Sequence, residues 1–473
     1  PTPDMRAHKG GFGLYYHLDF HGGAHAYDWM NTNYLPKMWE QLTTAWEGGI
    51  RQVWIANIGD IGLLEYPLCY FMDLAYDMDS HGLSHVNATS AWTEKWIRQQ
   101  FSSAFSSSDC STIQVILDGY THINHNRKPE IMNVNVYHPT HYGETKTLIT
   151  KAKLLEKLAG KLLEKCPPEA EAAFWELVYY PAAASANHCL LWLYATLNHF
   201  YAKQGRMETN RYARMVRQCL QRDRQLTDQY HAVCEGRFYG LGLSEHIGFV
   251  TWCEDGNRFP VMMHVEGANK PRLIVADSSG EDFTIGSRWS GDTLVLPYAL
   301  HPGVNEVQVD LACGSREPVA YTVETDCPWL SLSHRKGCVS SKDVLTIWID
   351  RGKLTGRQTG VVTVHAGMTS YIHIIAREIT SNEAELYIES NGIICMEADH
   401  FASRHDVPVA AWTVLRPYGR TGAAIKVLPP TLDCCTWTDR PYVEYRFGGG
   451  NSFLVGGHDR CHDQTVGDLA DFC

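Results

Sequence analysis

The hydrophobic pattern of this chain changes period twice, near residue 145 and again near residue 240, and that limits the fold more than any single motif does. From Gly11 to about Thr145, β-rich runs alternate with helix-compatible stretches. Phe12 to Phe20 (FGLYYHLDF) reads as a strand closed by the breaker His21-Gly22-Gly23. Pro36 to Trp46 reads as a helix, opened by proline and followed by Gly48-Gly49. Arg51 to Ile58 (RQVWIANI) is a near-continuous apolar run, as expected of a parallel strand covered on both faces, and Pro67 to Tyr76 is again helix-compatible. Strand, loop and helix repeating in that order imply an α/β architecture. The stretch holds two or three such units, whereas a closed eight-fold barrel needs about 200 residues or more. Any barrel here is incomplete.

Between 146 and 240 the period becomes helical. Leu148, Leu154, Leu155, Leu158, Leu162 and Leu163 recur near helical spacing, Cys166-Pro167-Pro168 breaks the pattern, and two long helical segments follow at 168–203 and 208–234. A helical bundle is expected. Beyond Gly240 short strand-like runs take over, separated by Gly, Pro, Asn and Ser: Val261–Val265, Leu273–Val275, Thr293–Pro297, Asn305–Leu311, Ala320–Thr325, Leu345–Ile349 and Gly360–Val364. They suggest an immunoglobulin-like β-sandwich over 241–380, followed over 381–473 by a β-rich unit with an atypical tail after Phe447.

Composition narrows the function classes. The formal net charge of −12 argues against nucleic acid or an anionic membrane as the main partner. No apolar run approaches the ~18 residues of a membrane span. The 14 Trp and 24 Tyr supply flat rings with polar handles, on which sugars stack, although such rings also fill ordinary cores. The 15 Cys form no C-x-x-C pair, so zinc-finger and thioredoxin-like readings fail, and scattered thiols of this kind fit a reduced, mostly buried state.

In α/β proteins the working residues sit on loops at the C-terminal ends of strands. One such loop follows Tyr15-Tyr16-His17 and runs through Asp19, His21, His25, Tyr27 and Asp28. The other, Asn57 to Pro67 (NIGDIGLLEYP), carries Asp60 and Glu65. Two carboxylates there suit glycosidic cleavage, which needs a general acid and a base or nucleophile; alternatively, Asp60 only caps the following helix. His17, His21 and His25 lie on a strand and a Gly-rich loop rather than one helical face, so no metal site is expected. In Tyr120–Glu130, Arg127 suits bidentate capture of a substrate carboxylate, or pairs structurally with Glu130.

Together these stretches resemble the xylan α-1,2-glucuronidases of glycoside hydrolase family 115. The matching segments are GFGLYYHLDFHGGAHAYDWMNTN (11–33), WEQL (39–42), VWIANIGDIGLLEYP (53–67), NRKPE (126–130), FWELVYYPAAASAN (174–187) and SEHIGFVTWCEDGNRFPVM (244–262). AWTVLRPYGRTGAAIKVLPP (411–430) and PYVEYRF (441–447) follow in the same order. The resemblance implies a multidomain chain: the C-terminal part of a TIM-like (β/α)8 barrel over 1–145, a helical bundle, a β-sandwich and a C-terminal β domain. In the family the YYH strand lies midway through the barrel, and nothing here matches the units before it, so the start at Pro1 is expected to cut through a larger enzyme. The implied activity is inverting hydrolysis that frees glucuronic acid or its 4-O-methyl ether from O2 of xylose, in glucuronoxylan or decorated xylo-oligosaccharides, without metal or organic cofactor. The family's pocket residues map to His17, Asn57, Asp60 and Glu65. Glu65 is then one catalytic carboxylate and Asp60 its partner or orienter, about 6.5–9.5 Å apart as inversion requires, with Tyr16, His17, Asn57 and Arg127 binding substrate. A homodimer and a secreted or periplasmic location are the corresponding expectations. The competing class is a noncatalytic carbohydrate-binding protein, or an inactive fragment of such an enzyme.

Overall fold

The computed structural model describes residues 8–19, 29–243, 245–248, 258–379, 387–388, 394–432 and 438–448. Strands β1 (Gly13–His17) and β2 (Val53–Asn57) pair in parallel, with Gly13 opposite Val53 and His17 opposite Asn57. Helix α1 (Leu35–Glu47) connects them and carries Pro36 in its first turn, where the missing N–H leaves no hydrogen bond unmade. Alternation then sorts the side chains. Leu14, Tyr16, Trp54 and Ala56 pack against the core beside Leu35, Met38 and Leu42 of α1. On the opposite face Tyr15, Val53 and Ile55 are 57, 54 and 50% exposed. The expectation that β2 is covered on both faces is therefore corrected: among the described residues, helices cover one face only.

Among the described residues no third strand follows before residue 273; helices α2 (Glu65–Tyr76), α3 (Thr89–Phe101) and α4 (Ser107–Asn126) come next. Ser106 caps α4 by accepting the Asp109 N–H. Helices α5 (Glu144–Leu163), α6 (Tyr180–Gln204) and α7 (Glu208–Gly236) complete this half. α6 is buried around almost its whole circumference, as an apolar helix at the centre of a layer must be. A π turn, Trp175–Tyr179, leads into it and widens the backbone just ahead of Pro181, whose ring would crowd the carbonyl four residues earlier in a regular helix. The strand pair and all seven helices share one core, running from Leu18 and Trp29 to Tyr230 and Ile247.

Ten strands follow: β3 (Leu273–Asp277), β4 (Phe283–Thr284), β5 (Thr293–Leu296), β6 (Glu306–Cys313), β7 (Val319–Glu324), β8 (Leu330–Leu332), β9 (Lys336–Val339), β10 (Lys342–Ile349), β11 (Arg357–Ala366) and β12 (Met368–Arg377). They form two five-stranded sheets, β4-β3-β6-β10-β8 and β5-β12-β11-β7-β9, antiparallel except for the β5–β12 pair. Val309, Leu311, Leu345, Ile347, Val362 and Ile372 fill the second core between them. The expected strand at Val261–Val265 is not one. Its backbone is held by side-chain amides from the helices: Asn198 donates to Met263 O (3.0 Å) and accepts Met263 N–H (2.7 Å), and Asn210 does the same for Val265 (2.8 and 3.0 Å).

At the C-terminal end β13 (Tyr387–Ile388) pairs with β18 (Phe447–Gly448), β14 (Ser403–His405) with β17 (Tyr442–Glu444), and β15 (Ala411–Tyr418) with β16 (Gly422–Leu428). The β15–β16 hairpin seats on the first helices. Lys426 pairs with Glu40, Tyr34 Oη donates to Pro417 O (3.1 Å), and His122 Nε2 donates to Gly419 O (2.9 Å). The tail beyond Gly448 lies outside the described residues.

Candidate functional site

Parallel register brings the two strand ends together. His17 sits opposite Asn57, and the Asn57 side-chain amide reaches both His17 Nδ1 (3.0 Å) and Asp19 O (3.0 Å). His17 Nδ1 also lies 3.2 Å from Asp19 O, so the imidazole, the amide and the carbonyl meet at one point. Asn57 O accepts two backbone N–H groups, Leu18 (2.9 Å) and Asp19 (3.2 Å), so the chain folds back over the strand end. Buried Asp19 presses on Gly59, where a Cβ would collide with its carboxylate.

The next loop is tied down at two points. Asp60 Oδ2 accepts the Gly242 N–H (2.8 Å). It does not cap α2, whose N-cap position is Leu64 and has no side-chain cap. Gly62 lies directly against the carboxylate of Glu176, which the π turn presents, and leaves no room for a Cβ. Glu65 is the first residue of α2, half-buried, where the helix dipole favours its negative charge. Burial, and then the charge of Glu65, hold the Glu176 carboxyl above the usual carboxylate range, against the opposing pull of Arg237. Three carboxylates, Asp60, Glu65 and Glu176, thus surround one short loop, and a mutually repelling pair of this kind favours a carboxyl that keeps its proton.

Tyr16 is not brought to His17. It points to the opposite face of β1 and stacks on Phe71 (centroids 6.0 Å apart), its hydroxyl pushed up to about 12 by burial and then by Glu40. Arg127 follows α4 and lines a cavity with Asn124, Tyr137, Ser185 and His188. Its neighbour Lys128 donates to Thr32 O (2.6 Å) and Oγ1 (2.8 Å); burial lowers that ammonium to about 8, against the opposing charge of Glu130. His21, His25, Tyr27 and Asp28 lie outside the described residues.

A cluster that the sequence did not single out joins these parts. His246 hydrogen-bonds Asp223 (3.0 Å) and Gly242 O (2.9 Å) and stacks flat on Trp29 (centroids 4.0 Å apart). Trp29 in turn meets His188 edge-on at 5.8 Å, and His188 lines the Arg127 cavity. His246 stood inside a matched stretch without a role, and Asp223, on the charged α7, looked like any solvated carboxylate.

The sequence model of glycosyl hydrolase family 115 matches residues 1–131, a span containing β1, β2 and the Asp60–Glu65 loop. The model of the glycosyl hydrolase family 115 C-terminal domain matches residues 386–451. Two separate segments of the chain thus match models of glycosyl hydrolase family 115. Among solved structures, a family 115 4-O-methyl-α-glucuronidase with specificity for decorated arabinogalactans aligns at 20% identity and TM-score 0.44, over 80% of this chain and 53% of that enzyme. The chain thus spans about half that enzyme's length. The PapD-like domain 7 of human CEP192 aligns over 26% of this chain and 99% of its own (12% identity, TM-score 0.17). A Bacteroides ovatus GH5 xyloglucanase aligns over 23% of this chain and 22% of its own (19% identity, TM-score 0.16). No curated protein matches. Among the described residues no helix is long and apolar enough to cross a membrane.

Proposed function

We propose that this chain carries the His17–Asn57 side of the pocket of a glycoside hydrolase that releases glucuronic acid, or its 4-O-methyl ether, α-1,2-linked to xylose in glucuronoxylan. The observation that supports this reading best is the family match over residues 1–131, which contains the paired strand ends and the carboxylate loop as one unit. Glu65 serves as one carboxylate of the catalytic apparatus and Asp60 as its partner or orienter. His17 and Asn57 offer hydrogen bonds to sugar hydroxyls, and Arg127 offers the fork for the uronic carboxylate. Tyr16, on the far face, supports the strand from behind. The chemistry is inversion, with a water held between two carboxyl groups.

The test is incubation of the chain with glucuronoxylan and with uronic-acid-decorated xylo-oligosaccharides, with decorated arabinogalactan as a third substrate, while NMR follows the released acid and its first-formed anomer. The expected result is uronic acid released from the xylan substrates in the inverted configuration, with Glu65→Gln at least about tenfold slower. Retention on xylan without acid release would instead support a noncatalytic binding protein.

A further inference from the structure

Nothing above explains why buried charge is spent on the Asp223–His246 pair, which lies behind the loop rather than on it. His246 is 7% exposed, Asp223 9% and Trp29 0%. Both partners of the imidazole accept hydrogen: a carboxylate oxygen of Asp223 at Nδ1 and the Gly242 carbonyl at Nε2. A neutral ring donates once, so the two contacts are filled together only with a hydrogen on each nitrogen. Such a ring is a flat cation, and it lies parallel to the Trp29 indole at 16°. The neighbouring His188 is the opposite case. It accepts the Trp192 Nε1–H at 3.3 Å, and burial, with a smaller contribution from His246, pushes it down to about 4 despite Asp223.

Gly242 receives His246 at its carbonyl oxygen, on the peptide to Leu243, and gives its own N–H, on the peptide from Leu241, to Asp60. Gly242 has φ +64°, and a Cβ there would lie 3.4 Å from Trp29 O and 3.5 Å from Leu63 Cδ1, so the residue sits beside both site loops in a conformation that favours glycine. The carbonyl and the N–H lie on the two peptide planes that meet at the Gly242 Cα, and the plane carrying the N–H is held as well, because His231 Nε2 donates to Leu241 O (2.9 Å). We propose that His246, paired with Asp223 and hydrogenated at both ring nitrogens, is a positioning residue that holds Gly242, the residue whose N–H anchors Asp60, and holds Trp29, the residue following His21–Asp28, by stacking. The kinetic part rests on the reading that Asp60 serves glycosidic cleavage; the structural part does not.

The test uses the full chain with ¹⁵N-labelled histidine and three variants, Asp223→Asn, His246→Gln and His246→Phe, each checked for native circular dichroism. Imidazole ¹⁵N shifts at neutral pH, assigned by loss of the signal in His246→Gln, are expected to show both His246 nitrogens protonated, and only one in the near-isosteric Asp223→Asn. Amide exchange at Gly242 is expected to quicken about tenfold in His246→Phe, which keeps the stacking and loses both hydrogen bonds. On a substrate that the wild type cleaves, Asp223→Asn should lower kcat about tenfold with little change in KM. A His246 ring carrying one hydrogen at neutral pH, or unchanged Gly242 exchange in His246→Phe, overturns the proposal. A wild-type chain that releases no uronic acid overturns the activity reading alone, because ring state and exchange are read without substrate.

Discussion

Asp118 shows what a single half-buried carboxylate does to this fold. It sits on α4 facing Lys151 of α5, and burial raises its carboxyl to about 6, with Lys151 opposing. A carboxyl raised from its unfolded value near 4 contributes stability that is complete below that value and lost as pH climbs through about 6. Asp118→Asn removes the charge without changing the shape, so it should raise the melting temperature at pH 7 and leave it nearly unchanged at pH 4. A shift of equal size at both pH values would show that Asp118 acts through packing instead. At the site itself, what was legible depended on sequence distance. His17 and Asn57 could be read as neighbours because each ends a strand of a parallel pair, and the pairing places them side by side. Asp60, Glu65 and Glu176 come together only because a π turn re-aims Glu176 onto Gly62, and no local period announces such a turn. Tyr16 shows the converse: alternation alone sends it to the face opposite His17.

Elements with a strong period were the ones the sequence revealed. The leucine spacing of α5, the long apolar α6 and the alternating burial of β7 and β11 all follow from one repeating contact with a core. The segment 261–265 failed for a different reason. Val-Met-Met-His-Val has strand composition, but Asn198 and Asn210 replace the neighbouring strand with two side-chain amides. A primary amide has the same donor and acceptor pair as a peptide, so it completes the ladder without any second strand in the sequence. Asn198 is fully buried, and its amide also donates to Thr209 O (2.8 Å). Asn198→Ala should therefore cost about 1–3 kcal/mol, since it leaves the buried Thr209 carbonyl and the Met263 backbone without their partner. Denaturant titration measures the loss, and hydrogen exchange should show it concentrated at Met263. A cost below about 0.5 kcal/mol would mean that water replaces the amide readily.

At the scale of the whole chain, the helical half and the sandwich have separate cores and meet at a charged joint. Arg206, in the turn between α6 and α7, is fully buried and donates from Nη1 to Asp310 of β6 at 2.8 Å, with Glu208 at 3.5 Å. Lys342 of β10 reaches the same Asp310 (3.2 Å), Ser278 donates to its other oxygen (2.8 Å), and Met207 N–H donates to Cys313 O (2.9 Å). Burial pushes the Asp310 carboxyl upward, but Arg206 and Lys342 outweigh it and hold it below the usual range; Glu208, more weakly compensated, is raised. Asp310 is thus the anion that the cations are built around. Removing Arg206 leaves that anion with Lys342 alone in a dry joint, and breaking one side of a buried pair costs about 3–5 kcal/mol. Removing both charges costs less, because no uncompensated anion remains. Arg206→Met should therefore lower stability by that amount and split a single unfolding transition into two, one for each core. Adding Asp310→Asn should recover part of the loss. Urea unfolding followed by tryptophan fluorescence and far-ultraviolet circular dichroism reads both effects. If Arg206→Met still unfolds in one step with coincident probes, the two cores are coupled by the remaining backbone contact and packing, and the ion cluster is not what joins them.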